Sequence, residues 1–272
     1  MKFQKLLLVL LVMFSLTFAA VEARAQTRQS VKQYEDMSRA ERLTFVGEQA
    51  RRIARQMSGT EYQFTADFER DIQRVVTQYA QRTGTGERAR TKSDLRFVFE
   101  RGQAHAPLVI AVFKARHISP LIGLYLSWIE SEFNNIQPDN PTAAVGVFQL
   151  LPATGERYGL TPEELLDVGK SADAAARYIA DSLQTFNADP MKEALALLAY
   201  NRGGQRVTRD LKLLINEQNR VCSICALTSD RSKRDETFTP ESVFYVPRFF
   251  AAAIIGENPE VFGLKMQPLS SQ

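Results

Sequence analysis

The sequence predicts an all-α fold, on three observations. Apolar residues recur three and four apart through most of the chain, as helices with one buried face require. Cap residues followed directly by proline recur as well, at Ser119-Pro120, Thr161-Pro162, Asp189-Pro190 and Thr239-Pro240. Each reads as a helix start, because proline at the first helical position forfeits no hydrogen bond. Alternating β-branched runs bounded by hairpin turns do not occur, so sheet is expected to be a minor element at most. No repeat at a solenoid period and no low-complexity linker breaks the pattern.

The 272 residues, 44% of them hydrophobic, suffice for one sizeable core or a core with a small appended region. Lys2 and Lys5 precede an apolar run from Leu6 to Phe18, and Ala23-Arg24-Ala25 is a small-x-small cleavage site before Gln26. Residues 1–25 therefore read as a secretory signal peptide. That run is short for a bilayer span and no other stretch approaches one, so no transmembrane segment is expected in the exported chain. Loss of Lys2, Lys5, Glu22 and Arg24 takes the formal charge from +3 to +1, which speaks against a nucleic-acid partner.

A capping box, Ser38-Arg39-Ala40-Glu41, opens the first helix, with Leu43, Phe45, Val46, Ala50, Ile53 and Ala54 at helical spacing. A second helix carries Phe64, Phe68, Ile72, Val75, Val76 and Tyr79 on one stripe and stops before Gly84-Thr85-Gly86. A third, shorter one is expected from Ser93 through Phe99, with Pro107 restarting a segment from Leu108 to Lys114 and a boundary near residue 105. Ser171 is expected to cap a later helix. Dense mixed charge through residues 28–96, as in Arg51-Arg52-Ile53-Ala54-Arg55, reads as a solvated helix face. Cys222 and Cys225 form a Cys-x-x-Cys with no strand pattern around it, and His105 and His117 lie far upstream without metal spacing. In an exported chain the pair reads first as a short-loop disulfide stiffening an exposed segment, with a functional redox pair as the alternative. No metal or other cofactor is implied.

The stretch that points to chemistry runs from Ser119 to Gln149. Leu121, Ile122, Leu124, Tyr125, Leu126, Trp128, Ile129 and Phe133 leave almost no polar face until Glu130, so the helix is buried on most sides and Glu130 leaves the core at a wall. Alone, Glu130 reads either as the first solvated residue after a core helix or as an acid whose pKa is raised by apolar surroundings, ready to donate a proton. Three further stretches accompany it. Gly146-Val147-Phe148-Gln149 sets glycine beside an amide; Ala199-Tyr200-Asn201-Arg202-Gly203 ends an apolar helix with a phenol and an amide; Glu241-Ser242-Val243-Phe244-Tyr245-Val246 opens the last helix. Singly these are a turn, a helix end and a first-turn acid.

Together with Glu130-Ser131-Glu132-Phe133-Asn134, and in this order, they resemble the catalytic domain of the lytic murein transglycosylases, the lysozyme-like family related to goose-type lysozyme. The family pattern is Glu-Ser-x-Phe-Asn, Gly-x-x-Gln, Ala-Tyr-Asn-x-Gly and Glu-(Thr/Ser)-x-x-Tyr-Val. Thr154-Gly155-Glu156-Arg157-Tyr158-Gly159-Leu160 is similar to the branch typified by membrane-bound lytic murein transglycosylase D. Four ordered blocks over about half the chain are far more specific than any one alone. The departures are Asn135 in place of proline, a loop from Asn135 to Asn140 that looks one residue long, Asn140 for a common serine, Arg202 for a small residue, and a Cys222–Lys233 insertion. The carbohydrate-binding repeats and lipid-anchor cysteine often found in the family are not seen in the sequence.

The resemblance implies a lysozyme-like helical domain over residues 106–272, preceded by a helical region over 26–105, acting on peptidoglycan glycan strands in the periplasm or cell envelope. It implies that Glu130 protonates the oxygen linking N-acetylmuramic acid to N-acetylglucosamine and then accepts the proton of the muramyl C6 hydroxyl as that oxygen closes on C1, giving a 1,6-anhydro sugar. By resemblance Ser131 orients the sugar, Gly146 allows close backbone approach, Gln149 and Asn201 hydrogen-bond substrate, Tyr200 sits close enough to Glu130 to tune it, and Glu241 fixes the cleft. Arg202 could alter the cleft floor or reach a substrate carboxylate. Glu132, two residues on and so about 200° round the helix, is expected to be an exposed charge. Two alternatives stand beside this reading. A muramidase on the same scaffold would need a second acid, with Asp139 and Glu236 the nearby candidates; a non-catalytic glycan-binding scaffold would keep the fold alone.

Overall fold

Residues 31–83, 94–214, 220–229 and 240–272 are described by the computed structural model; the expected signal peptide, the Gly84-Thr85-Gly86 stop, Ser93, Glu236 and the Thr239 cap lie outside them. Ten α-helices build the described chain: α1 (Arg39–Ser58), α2 (Ala66–Ala80), α3 (Leu95–Ala115), α4 (Pro120–Ser131), α5 (Pro152–Arg157), α6 (Val168–Thr185), α7 (Lys192–Arg202), α8 (Gly204–Leu214), α9 (Ser223–Ser229) and α10 (Pro240–Glu257). The extended pairing among the described residues is a single antiparallel bridge, Val145 to Leu150. The all-α reading therefore holds.

Local chemistry explains where the helices start. Ser38 accepts from the Glu41 N–H at 3.3 Å while the Glu41 carboxylate accepts from the Ser38 N–H at 2.8 Å, the expected capping box of α1. Thr161 and Glu164 make the same reciprocal pair, at 3.3 and 3.0 Å, on the short 3-10 turn Glu164–Leu166. Ser119 precedes Pro120 as expected, but its hydroxyl donates to the Gln56 carbonyl of α1 at 3.3 Å instead of capping its own helix.

Three expectations need correction. The third helix does not end near Phe99: α3 runs unbroken from Leu95 to Ala115 through Pro107. Pro107 and Leu108 lie on its exposed face, where the carbonyl left without a donor can take water, while Val98, Phe99, Ala106, Val109 and Phe113 are buried on the other. Ser171 is not a cap. Asp167 fills that place by accepting the Lys170 N–H at 2.9 Å, and Ser171 is buried inside the first turn of α6. Asp189 caps a turn, accepting the Met191 N–H at 2.8 Å, and α7 begins only at Lys192.

Residues 33–272 cluster as one compact unit. α10 is its hub, packing on α1, α2, α4 and α7, while α4 lies between α3 and α10. The α3–α4 approach is tight enough that a Cβ on Gly123 would sit 2.5 Å from the Phe113 ring. Trp128 of α4 anchors an aromatic cluster, its ring 5.5 to 6.2 Å from those of Tyr79, Phe99, Tyr125 and Phe133. Cys222 and Cys225 are bonded to each other. They are buried rather than exposed, with Cys225 Sγ accepting the Thr65 N–H of the turn before α2 at 3.4 Å.

Candidate active site

α4 ends abruptly, and the way it ends sets up the site. Glu132 and Phe133 both take positive φ, 52° and 61°, which turns the chain away after Ser131. Three of the helix carbonyls at that turn find donors: Glu132 N–H to Trp128 at 2.8 Å, Arg248 to Ile129 at 2.7 Å, and the Asn134 amide to Ser131 at 2.6 Å. Arg101 donates to the Glu132 carbonyl at 2.9 Å. Two guanidiniums thus sit at the negative end of the helix dipole.

Glu130, in the last turn, is partly buried, and its carboxyl accepts a hydrogen bond from the Tyr245 hydroxyl of α10. Burial pushes its pKa up to about 7. The Tyr245 hydrogen bond and the nearby Arg248 charge work against that rise, and the Glu241 charge works with it. Desolvation wins, so the group is divided between acid and carboxylate near neutral pH. Tyr245 itself is buried, and its hydroxyl is pushed well above the usual phenol range by burial first and by the Glu130 charge next. It therefore keeps its proton and can donate it in the bond to Glu130.

The other site residues form a frame around this carboxyl. The Gly146–Gln149 loop folds back on itself: the Gly146 N–H donates to Ile136 at 2.7 Å, and the Gln149 amide donates to the Gly146 carbonyl at 2.7 Å. Gly146 has φ +76°, and a Cβ there would lie 2.3 Å from the Leu165 carbonyl oxygen, so glycine is required on both counts. Ser131 is buried and its hydroxyl donates to the Val147 carbonyl at 2.7 Å. Tyr200 donates to the Phe148 carbonyl at 2.8 Å. The Ser242 hydroxyl donates to the Asn201 carbonyl oxygen at 2.8 Å, and the Asn201 amide lies 3.5 Å from the Glu241 carboxylate.

These bonds close a ring. The Glu130 block is tied to the Gly146 loop by Ser131, that loop to the α7 end by Tyr200, the α7 end to α10 by Asn201, and α10 back to Glu130 by Tyr245. The four stretches of sequence meet around one carboxyl. Ser131 and Tyr200 spend their hydroxyls on loop carbonyls, and the Glu130 charge acts on the Tyr200 phenol through space. The phenol bonded to Glu130 is Tyr245, with Arg248 one turn further on. Both follow Glu241 at positions that share a helix face, and this spacing was the available signal.

Two further expectations are overturned. Arg202 is turned inward, its side chain 1% exposed and its Nε 2.7 Å from Asp210, so it does not reach outward for a substrate. Glu132 is not a solvated charge. Arg82 binds it through two bonds of 2.6 and 2.9 Å, with Arg101 at 3.9 Å. It is the C-cap, with φ +52°, just past the last helical residue, and the arginines that meet it come from outside α4. Asp139 lies exposed in the loop before Gly146.

No curated protein sequence matches the chain. Residues 107–220, which carry three of the four blocks, match the family model described as Transglycosylase SLT domain. On that match, and on an all-helical unit whose blocks converge on one acid, the chain carries a lysozyme-like transglycosylase domain of the SLT family, the catalytic domain of peptidoglycan lytic transglycosylases.

Proposed function

We propose that this transglycosylase cleaves the MurNAc-β-1,4-GlcNAc bond with Glu130 as the one proton-transfer group and releases a 1,6-anhydromuramoyl end. The observation that carries this reading is the Glu130 carboxyl itself: partly buried at the end of a core helix, bonded by Tyr245, and with its pKa pushed up to about 7. Such a group is partly protonated in the resting enzyme and can give its proton to the glycosidic oxygen as the C1–O bond breaks. The pair of electrons leaves with the GlcNAc oxygen, and the cationic C1 is shared with the sugar's own N-acetyl group. Glu130, now a carboxylate held by the Tyr245 hydroxyl, takes the proton of the muramyl C6 hydroxyl as its oxygen bonds to C1. The nucleophile is already tethered, so little entropy is lost on attack and no water enters the product.

In this reading Gln149 and Asn201 address the sugar from the frame, Gly146 brings backbone close to it, and Glu241 sets the field at the Glu130 carboxyl. Ser131 and Tyr200 hold the loop that does so. Residues 106–272 contain the catalytic groups, and the helices before residue 105 complete their core. The Thr154–Leu160 block supports placement in the D-type branch, and the charged, then apolar, N-terminal stretch supports export to the envelope. No helix among the described residues is long and apolar enough to cross a membrane.

The test is product analysis. Wild type and Glu130→Gln are incubated with peptidoglycan sacculi and the released muropeptides examined by mass spectrometry. Wild type should give ends lighter by one water than hydrolysed ends, and the variant none. Hydrated reducing ends from the wild type would make the protein a muramidase.

A further inference from the structure

Beside the ring of blocks lies a cavity of about 730 Å³ whose wall includes Thr154, Tyr158, Tyr178, Asp181, Gly203 and Arg206. Two of the site's stretches run into it: the Gly146–Gln149 loop leads through Leu150 and Leu151 to Thr154, and Asn201 is followed by the pocket residues Arg202, Gly203 and Gly204. The Tyr178 ring contacts that of Tyr200 at 5.1 Å and its hydroxyl donates to the Ala199 carbonyl at 2.8 Å, so the cavity wall and the frame around Glu130 share a side. The volume falls within the range of small-molecule and short-peptide sites. Gly203 and Gly204 keep the wall low, since a Cβ at either would meet open space.

The charges in this cavity do not balance. Asp181 is engaged twice, by Arg157 at 3.3 Å and by the Tyr158 hydroxyl at 2.8 Å. Arg202 is neutralised by Asp210 at 2.7 Å. Arg206, exposed on the first turn of α8, has no acidic partner among the described residues, and the Thr154 and Thr208 hydroxyls beside it make no bond there either. A guanidinium left over in a concave polar wall suits a carboxylate. The sugars of a glycan strand offer hydroxyls and N-acetyl groups, neither of which matches it. The peptide carried by the muramyl sugar does offer carboxylates, and while it is attached the lactyl group is an amide and uncharged.

We propose that this cavity receives the muramyl-linked peptide of the substrate and that Arg206 binds one of its carboxylates. The inference rests on the peptidoglycan reading above and adds a determinant of which strands are preferred: those that still bear peptide.

Calorimetric titration of the full chain tests it with three ligands that lack the scissile bond: the GlcNAc-MurNAc disaccharide bearing its peptide, the same compound with the peptide carboxylates converted to amides, and the peptide-free disaccharide with its free lactyl carboxylate. The acid peptide should bind about tenfold tighter than its amide, as one charge-assisted bond at an accessible site implies. Arg206→Gln should bring the two together and Arg206→Lys should keep part of the difference. The proposal fails if the preference survives Arg206→Gln, if acid and amide bind alike, if no peptide ligand binds, or if the peptide-free disaccharide depends on Arg206 as strongly, which would assign the lactyl group instead. Because no turnover is involved, a wrong reaction at Glu130 would show in the sacculus products and leave this titration unchanged.

Discussion

The two sides of the α4 terminus carry the same functional group to opposite ends. On the side facing α10, Glu130 meets a phenol and apolar surroundings, and burial raises its pKa to about 7. On the side facing α2 and α3, Glu132 meets Arg82 through two hydrogen bonds and Arg101 beyond. The carboxylates are two residues apart, so the difference is not one of sequence neighbourhood. What differs is whether a cation or a neutral donor closes the pocket. A carboxylate held by a fork of guanidinium N–H groups is committed to holding structure. One held by a single neutral hydroxyl in a desolvated wall exchanges its proton near neutrality.

Exchanging the two acids for amides should separate the roles most widely. Glu130→Gln is expected to lose about a thousandfold in turnover on sacculi, within the range for removal of a general acid–base group. Glu132→Gln should keep activity within about a few-fold and instead lower stability by about 1–2 kcal/mol in denaturant unfolding at neutral pH, the scale of a partly exposed ion pair. Equal activity losses would erase the contrast.

The stability of Glu130→Gln should have the opposite sign. A carboxyl raised from 4.5 to about 7 in the folded chain costs nothing below the unfolded value, costs progressively more as pH rises through that window, and costs a constant amount above it. Unfolding at pH 8 should therefore find Glu130→Gln about 2 kcal/mol more stable than wild type, a figure reduced from the full shift for partial exposure. At pH 4 the two should agree.

Finer changes should move the pH profile. Tyr245→Phe removes a bond that favours the charged form, so the alkaline limb of kcat/KM should move above pH 7, with a rate loss of about tenfold. Glu241→Gln removes a repelling charge, and the same limb should move to lower pH by a fraction of a unit, with the smallest change in rate. Shifts in the same direction would mean that the two side chains act through the loop frame and not on the proton.

Much of this was legible before any coordinates. The Ser38–Glu41 box, the stripe on α2 from Phe68 to Tyr79 and the buried character of α4 follow from short-range pattern, and each appears where expected, while at Thr161-Pro162 only a 3-10 turn forms and it begins at Glu164. Glu130 stood out because a long apolar helix ended on it. Pro107 misled because its local rule, that proline ends helices, yields when the freed carbonyl faces water and the opposite face is packed. Arg202 and Glu132 misled because their partners, Asp210 on α8 and Arg82 just past the end of α2, lie outside their own helices and nothing in the local pattern names them.

The sequence by itself determined the helices, the order of the four blocks and the one acid set at the edge of a core, since these depend on contacts within a few residues and on apolar periodicity. Only the tertiary structure decided that Tyr245 holds that acid, that Ser131 and Tyr200 hold a loop, and that Arg206 is left over. The physical reason is that a polar side chain's role is fixed by whichever donor or charge arrives from distant chain, and burial, which strengthens every such bond, arises only when the helices pack.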